Sequence, residues 1–274
     1  MQPFNLSQDQ IERYSRNILL KEIGYAGQQK LLDSTVTVIG GGGLGCPATQ
    51  MLAAAGIGHI RIIDNDKVEI TNLPRQILHY TNDVGKFKVD SIKNKVVLLN
   101  PDVKVEIHKT YADQSNIKDL LSGSDFVIEC SDNIGTKFLV NDTCVHMDIP
   151  FVIAGVVKFY GQIVSVIPGK TTCYRCIFLE VHEPDSSMTC SGAGVLGTVP
   201  SFAGILQANE AIKSISDLEL NFINGMFAFD LLVGSFDFVK IKKDDDCKAC
   251  SNPKIPFYKK ADYGPASAIC EDED

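Results

Sequence analysis

Residues 36–45 read VTVIGGGGLG: a β-branched run meets four consecutive glycines, and a fifth follows after one intervening residue. Leu44, Ala48, Met51 and Ala55 then recur at spacings of four, three and four, the period of a helix that opens directly from the loop. Gly40, Gly42 and Gly45 match G-x-G-x-x-G. Glycines in that pattern permit a tight turn and close approach of an anion, and the helix N-terminus supplies free N–H groups and the positive end of its dipole. A chain built this way is expected to hold a phosphate-bearing ligand at the carboxyl edge of a parallel sheet. The loop alone does not separate a dinucleotide such as NAD from ATP.

The rest of the chain carries the alternation such a sheet needs. The run HIRII at 59–63 predicts a second strand ending at Asp64, nineteen residues past Gly45, where a carboxylate accepts from a ribose hydroxyl. Val89, Ile92, Val96 and Leu99 mark a helix that Pro101 stops. VKVEI at 103–107 and DFVIE at 125–129 predict further strands, a helix fills about 133–146, and FVIAGVV and QIVSVI predict a strand pair broken at 159–161. This is an α/β chain with a doubly wound, mostly parallel, Rossmann-like sheet in a core at 34–170. The segment MFAFDLLVGSFDFVKI predicts a β-rich C-terminal part. At the front, Ser7 and Gln10 form a capping-box pattern, and Ile11, Tyr14 and Ile18 follow at helical spacing. A helix is expected from about 8 to 20 within an N-terminal segment at 7–20. The tail, 252–274, has three prolines and ends CEDED, and is expected to be mobile.

A length of 274 residues with 45% hydrophobic content suits one large domain. With 26 Lys and Arg against 34 Asp and Glu, the formal charge of −8 argues against a general nucleic-acid binder. No apolar run of about 18 residues is present to span a membrane. The first residues, MQPFNLSQDQ, lack the basic and apolar regions of a secretory signal, so a cytoplasmic protein is the expectation.

Charged residues discriminate between the two ligands. An enzyme acting on a triphosphate needs cations where charge builds on the phosphates, and Arg75, Lys88 and Arg16 are candidates. Asp132, just past the strand ending in IEC, is a candidate for holding Mg²⁺. An NAD-dependent oxidoreductase accounts for the loop and Asp64 but for neither the arginines nor the cysteines. A non-catalytic binding module leaves Arg75, Lys88 and Asp132 without a purpose.

The segments RYSRNILL, GGGGLG, DNDKVEITNLPRQ, GKFK, CSDN and CYRC occur in an order that resembles the MoeB/ThiF/HesA family of adenylyltransferases related to ubiquitin-activating enzymes. The resemblance runs from about residue 7 to 250. It implies an enzyme that uses ATP to adenylate the C-terminal glycine carboxylate of a small ubiquitin-like sulfur-carrier protein ending in Gly-Gly, releasing pyrophosphate. Such a step precedes thiocarboxylate formation in thiamin, molybdopterin, tRNA-thiolation or siderophore pathways. By resemblance Gly40, Gly42, Gly43 and Gly45 line the phosphate loop and Asp64 holds the ribose. Asn72, Arg75 and Lys88 contact phosphates, Asp132 with Asn133 beside it serves Mg²⁺–ATP, and Arg16 reaches the neighbouring subunit's site in a homodimer. Pro47 and Pro74 depart from the family pattern, and a proline is tolerated in a helix's first turn. The chain has no room for a sulfurtransferase domain, so a separate sulfur-donor protein is expected.

Nine cysteines in a cytoplasmic chain point away from a disulfide framework. Cys173-x-x-Cys176 and Cys247-x-x-Cys250 are two knuckle-like pairs that read either as a tetrahedral Zn²⁺ shell or as buried or redox-active thiols. The resemblance carries both pairs as one structural zinc site, which links a C-terminal part at 171–251 to the core and gives an adenylyltransferase domain at 1–251. Cys190 lies in the small-residue run SSMTCSGAGVLGTVP. The resemblance leaves it either a covalent, sulfur-transfer cysteine or a dispensable one. Cys46, Cys130 and Cys144 read as core positions, and Cys270 in the tail has no assignment.

Overall fold

The computed structural model describes residues 4–178 and 193–251, together with Tyr263. Ser7 starts α1 (Gln8–Arg13): its hydroxyl accepts from the Gln10 amide at 3.2 Å, and Gln10 Oε1 accepts from the Ser7 amide at 3.0 Å. The expected single helix to residue 20 is not formed. Tyr14 leaves helical geometry with ψ 13°, and α2 (Ser15–Ile18) follows. Tertiary contact explains the break, because the Tyr14 ring is buried against Gly56, where an added Cβ would lie 2.6 Å away. Tyr14 Oη accepts from Asn100 at 2.8 Å and donates to Asp102 at 3.3 Å. At Tyr14, then, the apolar side of the helix is covered by its own chain rather than by a partner. Ile11 and Ile18 are half-buried.

The chain continues through α3 (Gly24–Asp33), β1 (Thr35–Ile39), α4 (Gly45–Ala55), β2 (His59–Ile63), α5 (Lys88–Leu99) and β3 (Lys104–His108). Next come α6 (Ile117–Leu121), β4 (Phe126–Glu129), α7 (Ile134–Met147), β5 (Phe151–Val157), β6 (Tyr160–Val166) and α8 (Tyr174–Ile177). Then follow α9 (Thr198–Ile215), β7 (Gly225–Asp230) and β8 (Ser235–Lys240). The sequence reading did not place α3, whose glycines at 24 and 27 weaken its local helical signal. Pro47 lies in the first turn of α4, where a missing N–H costs nothing.

Among the described residues the eight strands form one sheet in the order β3-β2-β1-β4-β5-β6-β7-β8. The pairs from β3 to β5 are parallel and those from β5 to β8 antiparallel. The mostly parallel front and β-rich back match the sequence reading. One apolar layer packs α4, α5 and α9 on one face of the sheet, and a second, which includes the knuckle cysteines, packs α6 and α7 on the other. Ile39 is in register with both Ile63 and Glu129, so the carboxyl ends of β1, β2 and β4 are level. The chain turns to one side of β1 for β2 and to the other for β4, and a doubly wound sheet opens its ligand crevice at such a reversal. Among the described residues no helix is long and apolar enough to cross a membrane.

Candidate active site and metal centre

The five loop glycines are glycine for different reasons. Gly40 has φ +96°, and a Cβ there would lie 2.8 Å from the Cys130 carbonyl oxygen. A Cβ on Gly45 would lie 1.8 Å from the Gly40 carbonyl oxygen. The fold itself requires both. A Cβ on Gly43 would lie 3.1 Å from Pro200 of α9 and 3.4 Å from the Arg75 carbonyl oxygen. Around Gly42 the nearest atom to an added Cβ is Gln76 Nε2 at 3.6 Å, so no packing contact demands a glycine there. The space in front of Gly42, at the head of α4, is the kind an anion occupies.

Level strand ends bring the acidic and basic groups to this loop. Asp64 Oδ2 accepts from the Gly41 amide at 2.7 Å, and Oδ1 accepts from the Asp66 amide at 2.8 Å. Burial raises the Asp64 pKa, against the pull of the Lys88 charge. Lys88 is the first residue of α5, is buried, and donates to Asp66 at 2.7 Å. Burial opposes its charge, but the carboxylates of Asp64, Asp66 and Asp132 outweigh burial and hold its pKa above the ordinary lysine value. Arg75 is half-buried and donates through Nη1 to the Thr71 carbonyl at 2.8 Å. Asn72 is buried and its Oδ1 accepts from the Glu69 amide at 3.2 Å. Asp132 is exposed beyond the end of β4. Asn133 has a structural task, since it caps α7 by accepting from the Thr136 amide at 2.9 Å.

Arg16 is not brought to this loop. Its neighbours Tyr14 and Asn17 contact Gly56 and Ala55, at the far end of α4 from Gly45. An eleven-residue helix separates the two by roughly 16 Å. Cys190 and Cys270 lie outside the described residues, as does the expected tail apart from Tyr263.

Three features went unread in the sequence. Gln76 Oε1 and Asn65 Oδ1 are buried without a hydrogen-bond partner among the described residues, and Gln76 borders Gly42. Both atoms are acceptors, so it is a ligand's hydroxyl or amino donor, not a phosphate oxygen, that would complete them. Beneath Asp132, Lys137 Nζ donates to Glu129 at 2.5 Å, to the Ser131 carbonyl at 2.6 Å and to the Ala154 carbonyl at 2.8 Å. Glu129 is fully buried: burial raises its pKa and Lys137 counters it. A glutamate ending an apolar strand signalled that it needed a partner, but not which one. His79 is the third and is buried behind the loop.

The two cysteine pairs meet. Cys173 Sγ lies 3.9 Å from Cys176 and 3.6 Å from Cys247, and Cys176 lies 3.5 Å from Cys250. All four sulfurs fall within 4.8 Å of one another. Tetrahedral zinc with Zn–S bonds of about 2.3 Å places its sulfurs about 3.8 Å apart, so the cluster fits that ion. A disulfide needs about 2.05 Å. Arg175, inside the first pair, binds Asp142 of α7 through Nε at 2.7 Å and Nη2 at 2.7 Å, and Tyr263 Oη donates to Asp142 at 2.8 Å. The four-cysteine cluster is thereby bolted to α7, the helix that Asn133 caps. Cys46, Cys130 and Cys144 are buried as expected, and burial pushes the Cys46 thiol up to about 12 and the other two well above the usual range.

Comparison with known proteins gives the family and the fold. The SAMP-activating enzyme E1 of Haloferax volcanii is 40% identical over 269 residues, covering 98% of this chain and 99% of that protein. The adenylyltransferase and sulfurtransferase MOCS3 of Culex quinquefasciatus is 40% identical over 252 residues, and the match takes in 91% of this chain but 58% of that protein. The chain thus spans a little over half the length of its MOCS3 relative. Among solved structures, E. coli MccB with AMPCPP and MccA superposes with a TM-score of 0.79 at 27% identity, over 90% of this chain and 76% of that one. E. coli MccB with ATP gives a TM-score of 0.77 at 27% identity, over 88% and 75%. The ThiF family pattern matches residues 14–249, and the chain belongs to the ThiF family.

Proposed function

We infer that this chain is an adenylyltransferase that activates a small ubiquitin-like sulfur-carrier protein. It joins AMP from ATP to the carrier's C-terminal glycine carboxylate and releases pyrophosphate. The observation that carries this reading is the gathering of the glycine loop, Asp64 and Lys88 at the level ends of β1 and β2 in a ThiF-family chain. A carboxylate oxygen of the carrier attacks the α-phosphorus of ATP in line, a C–O–P linkage forms, and the bond to pyrophosphate breaks. No general base is needed, because a terminal carboxylate is already ionised at neutral pH.

Chain residues supply position and charge. The amides around Gly42 and Gly43 cradle phosphates, Asp64 takes the ribose, and Asn72, Arg75 and Lys88 face the phosphate oxygens. Asp132 is the residue that would hold Mg²⁺, which when bound offsets phosphate charge. Arg16 enters the site of a second subunit in a homodimer. Its place on α2, at the opposite end of α4 from its own loop, supports that reading. The carrier ends in Gly-Gly, a separate protein donates sulfur, and the product thiocarboxylate serves cofactor biosynthesis of the thiamin or molybdopterin type in the cytoplasm. Residues 1–251 make up the adenylyltransferase unit, with 252–274 as a tail, and Cys190 takes no part in the adenylation step, being either a sulfur-transfer cysteine or dispensable.

Pyrophosphate exchange against a panel of carriers ending in Gly-Gly tests the function. Exchange should require ATP, Mg²⁺ and one carrier, and Asp132→Ala should reduce it by about a hundredfold or more. ATP with Mg²⁺ should raise the melting temperature and NAD should not. Stabilisation by NAD alone, or ATP binding with no exchange on any carrier, would overturn the reading.

A further inference from the structure

His79 follows the Arg75 segment by four residues and sits behind the glycine loop, 3% exposed. It touches three elements at once. Nε2 lies 3.0 Å from the Gly41 carbonyl oxygen and 3.6 Å from Cys46 Sγ of α4, and Nδ1 lies 2.9 Å from Ser91 Oγ of α5.

The proton positions follow from donor and acceptor chemistry. The Gly41 carbonyl only accepts, so Nε2 carries the ring proton and donates to it. Lys95 Nζ donates to Ser91 Oγ at 2.7 Å and, as an ammonium, cannot accept. The Ser91 hydroxyl hydrogen is therefore free to point at Nδ1. Lys95 is itself held by Asp83 and lies over the Tyr80 ring at 4.4 Å. A directed chain of hydrogen bonds thus runs from Lys95 through Ser91 and His79 to the loop.

At the far end of that chain Gly41 is held on both sides: its amide by Asp64 at 2.7 Å, its carbonyl by His79. Fixing these two groups fixes the peptide planes on either side of Gly41, and with them the direction of the next amide, that of Gly42. Ser91 also lies one helical turn past Lys88. One imidazole therefore ties the backbone that cradles phosphate to the helix that delivers the cation.

We propose that His79 is a positioning residue for ATP: as the neutral Nε2–H tautomer, it aims the glycine-loop amides and sets their distance from Lys88. Burial, with the nearby Lys88 and Lys95 charges, lowers its pKa to about 4 against the pull of the Gly41 carbonyl, so the ring stays neutral under working conditions. His79 is walled off from the phosphate side by the loop itself and takes no part in the chemistry. The proposal rests on the loop being an ATP cradle, but the state of the ring can be read without that assumption.

Two measurements test it. Histidine-selective ¹⁵N labelling, with the His79 signal assigned by its absence in His79→Gln, reads the ring directly among the chain's five histidines. A single Nε2–H tautomer from pH 5 to 8 is expected, and it should give way to a mixture in Ser91→Ala. An Nδ1–H tautomer, or titration near pH 6.5, would overturn the geometry even if every substitution impaired folding. In pyrophosphate exchange, His79→Leu should raise KM for ATP about tenfold, the equivalent of one lost hydrogen bond, with KM for the carrier unchanged. His79→Gln, which retains a side-chain N–H donor, should recover most of that loss. A folded His79→Leu protein with unaltered KM for ATP would refute positioning. So would equal rises in both KM values with no rescue by glutamine, whereas absence of exchange in the parent enzyme would refute the adenylation reading instead.

Discussion

Glycine at 42 and glycine at 45 look alike in the sequence and do different work. Gly45→Ala drives a Cβ into the Gly40 carbonyl, and it should cost about 3 kcal/mol or more in a denaturant melt. Gly42→Ala meets nothing closer than 3.6 Å, so stability should stay within about 1 kcal/mol. Its methyl group occupies the space in front of the loop, and ATP affinity by calorimetry should fall about tenfold or more. Full ATP affinity in Gly42→Ala would place the phosphates elsewhere. His79 gives the protein a pH signature. Its folded pKa of about 4 is below the ordinary histidine value of 6.5, so between those values the unfolded chain takes up a proton that the folded chain refuses. Stability should therefore be complete above pH 6.5 and decline by as much as about 3 kcal/mol as pH falls to 4. Urea midpoints of His79→Gln should lack that part of the decline, and parallel curves for the two proteins would show that His79 is not buried and neutral.

Between elements, the four-cysteine cluster is tied to the rest of the chain by two kinds of link. Cys173, at the head of α8, and Cys247, in the chain after β8, meet across 74 positions, a loop that a bound zinc would close. Metal analysis should find one zinc per chain, and Cys173→Ser or Cys247→Ser should remove it and lower the melting temperature by about 6 °C or more. Asp142→Ala tests the other link. It removes the carboxylate that Nε and Nη2 of the buried Arg175 share, so it should cost about 3–5 kcal/mol while zinc stays at one per chain. Metal-free protein of unchanged stability would rule out a structural zinc. The N-terminal helix, expected as one piece, is broken by such long-range contacts. Tyr14 breaks the helix because its hydroxyl is satisfied by Asn100 and Asp102, residues far along the chain.

For the whole molecule, the position of Arg16 at the remote end of α4 sets the test of whether a second subunit completes the site. Arg16→Ala and Asp132→Ala should each be inactive alone. In a shared-site dimer, mixing them makes a heterodimer with one doubly defective site and one intact site, so activity should return to about a quarter of the parent's after subunit exchange. No recovery once exchange is demonstrated, or a fully active monomer, would confine the site to one chain.

What the sequence determined by itself was local. The strand, glycine loop and helix, the acid at the end of the second strand, the Ser7 cap and the alternation of a parallel sheet all follow from spacings within a few residues, and such spacings survive without tertiary context. Asp64, Arg75 and Lys88 were readable because their residue types suit phosphate chemistry beside such a loop. The tertiary structure alone decided which glycines the fold needs and which leave room for a ligand, which lysine answers Glu129, and where Arg16 lies. It also decided that His79 braces the loop, and it brought together two Cys-x-x-Cys pairs whose spacing left them open and which the family resemblance had joined. Those contacts join residues tens of positions apart, and their distances depend on strand register and helix packing, which no local pattern encodes.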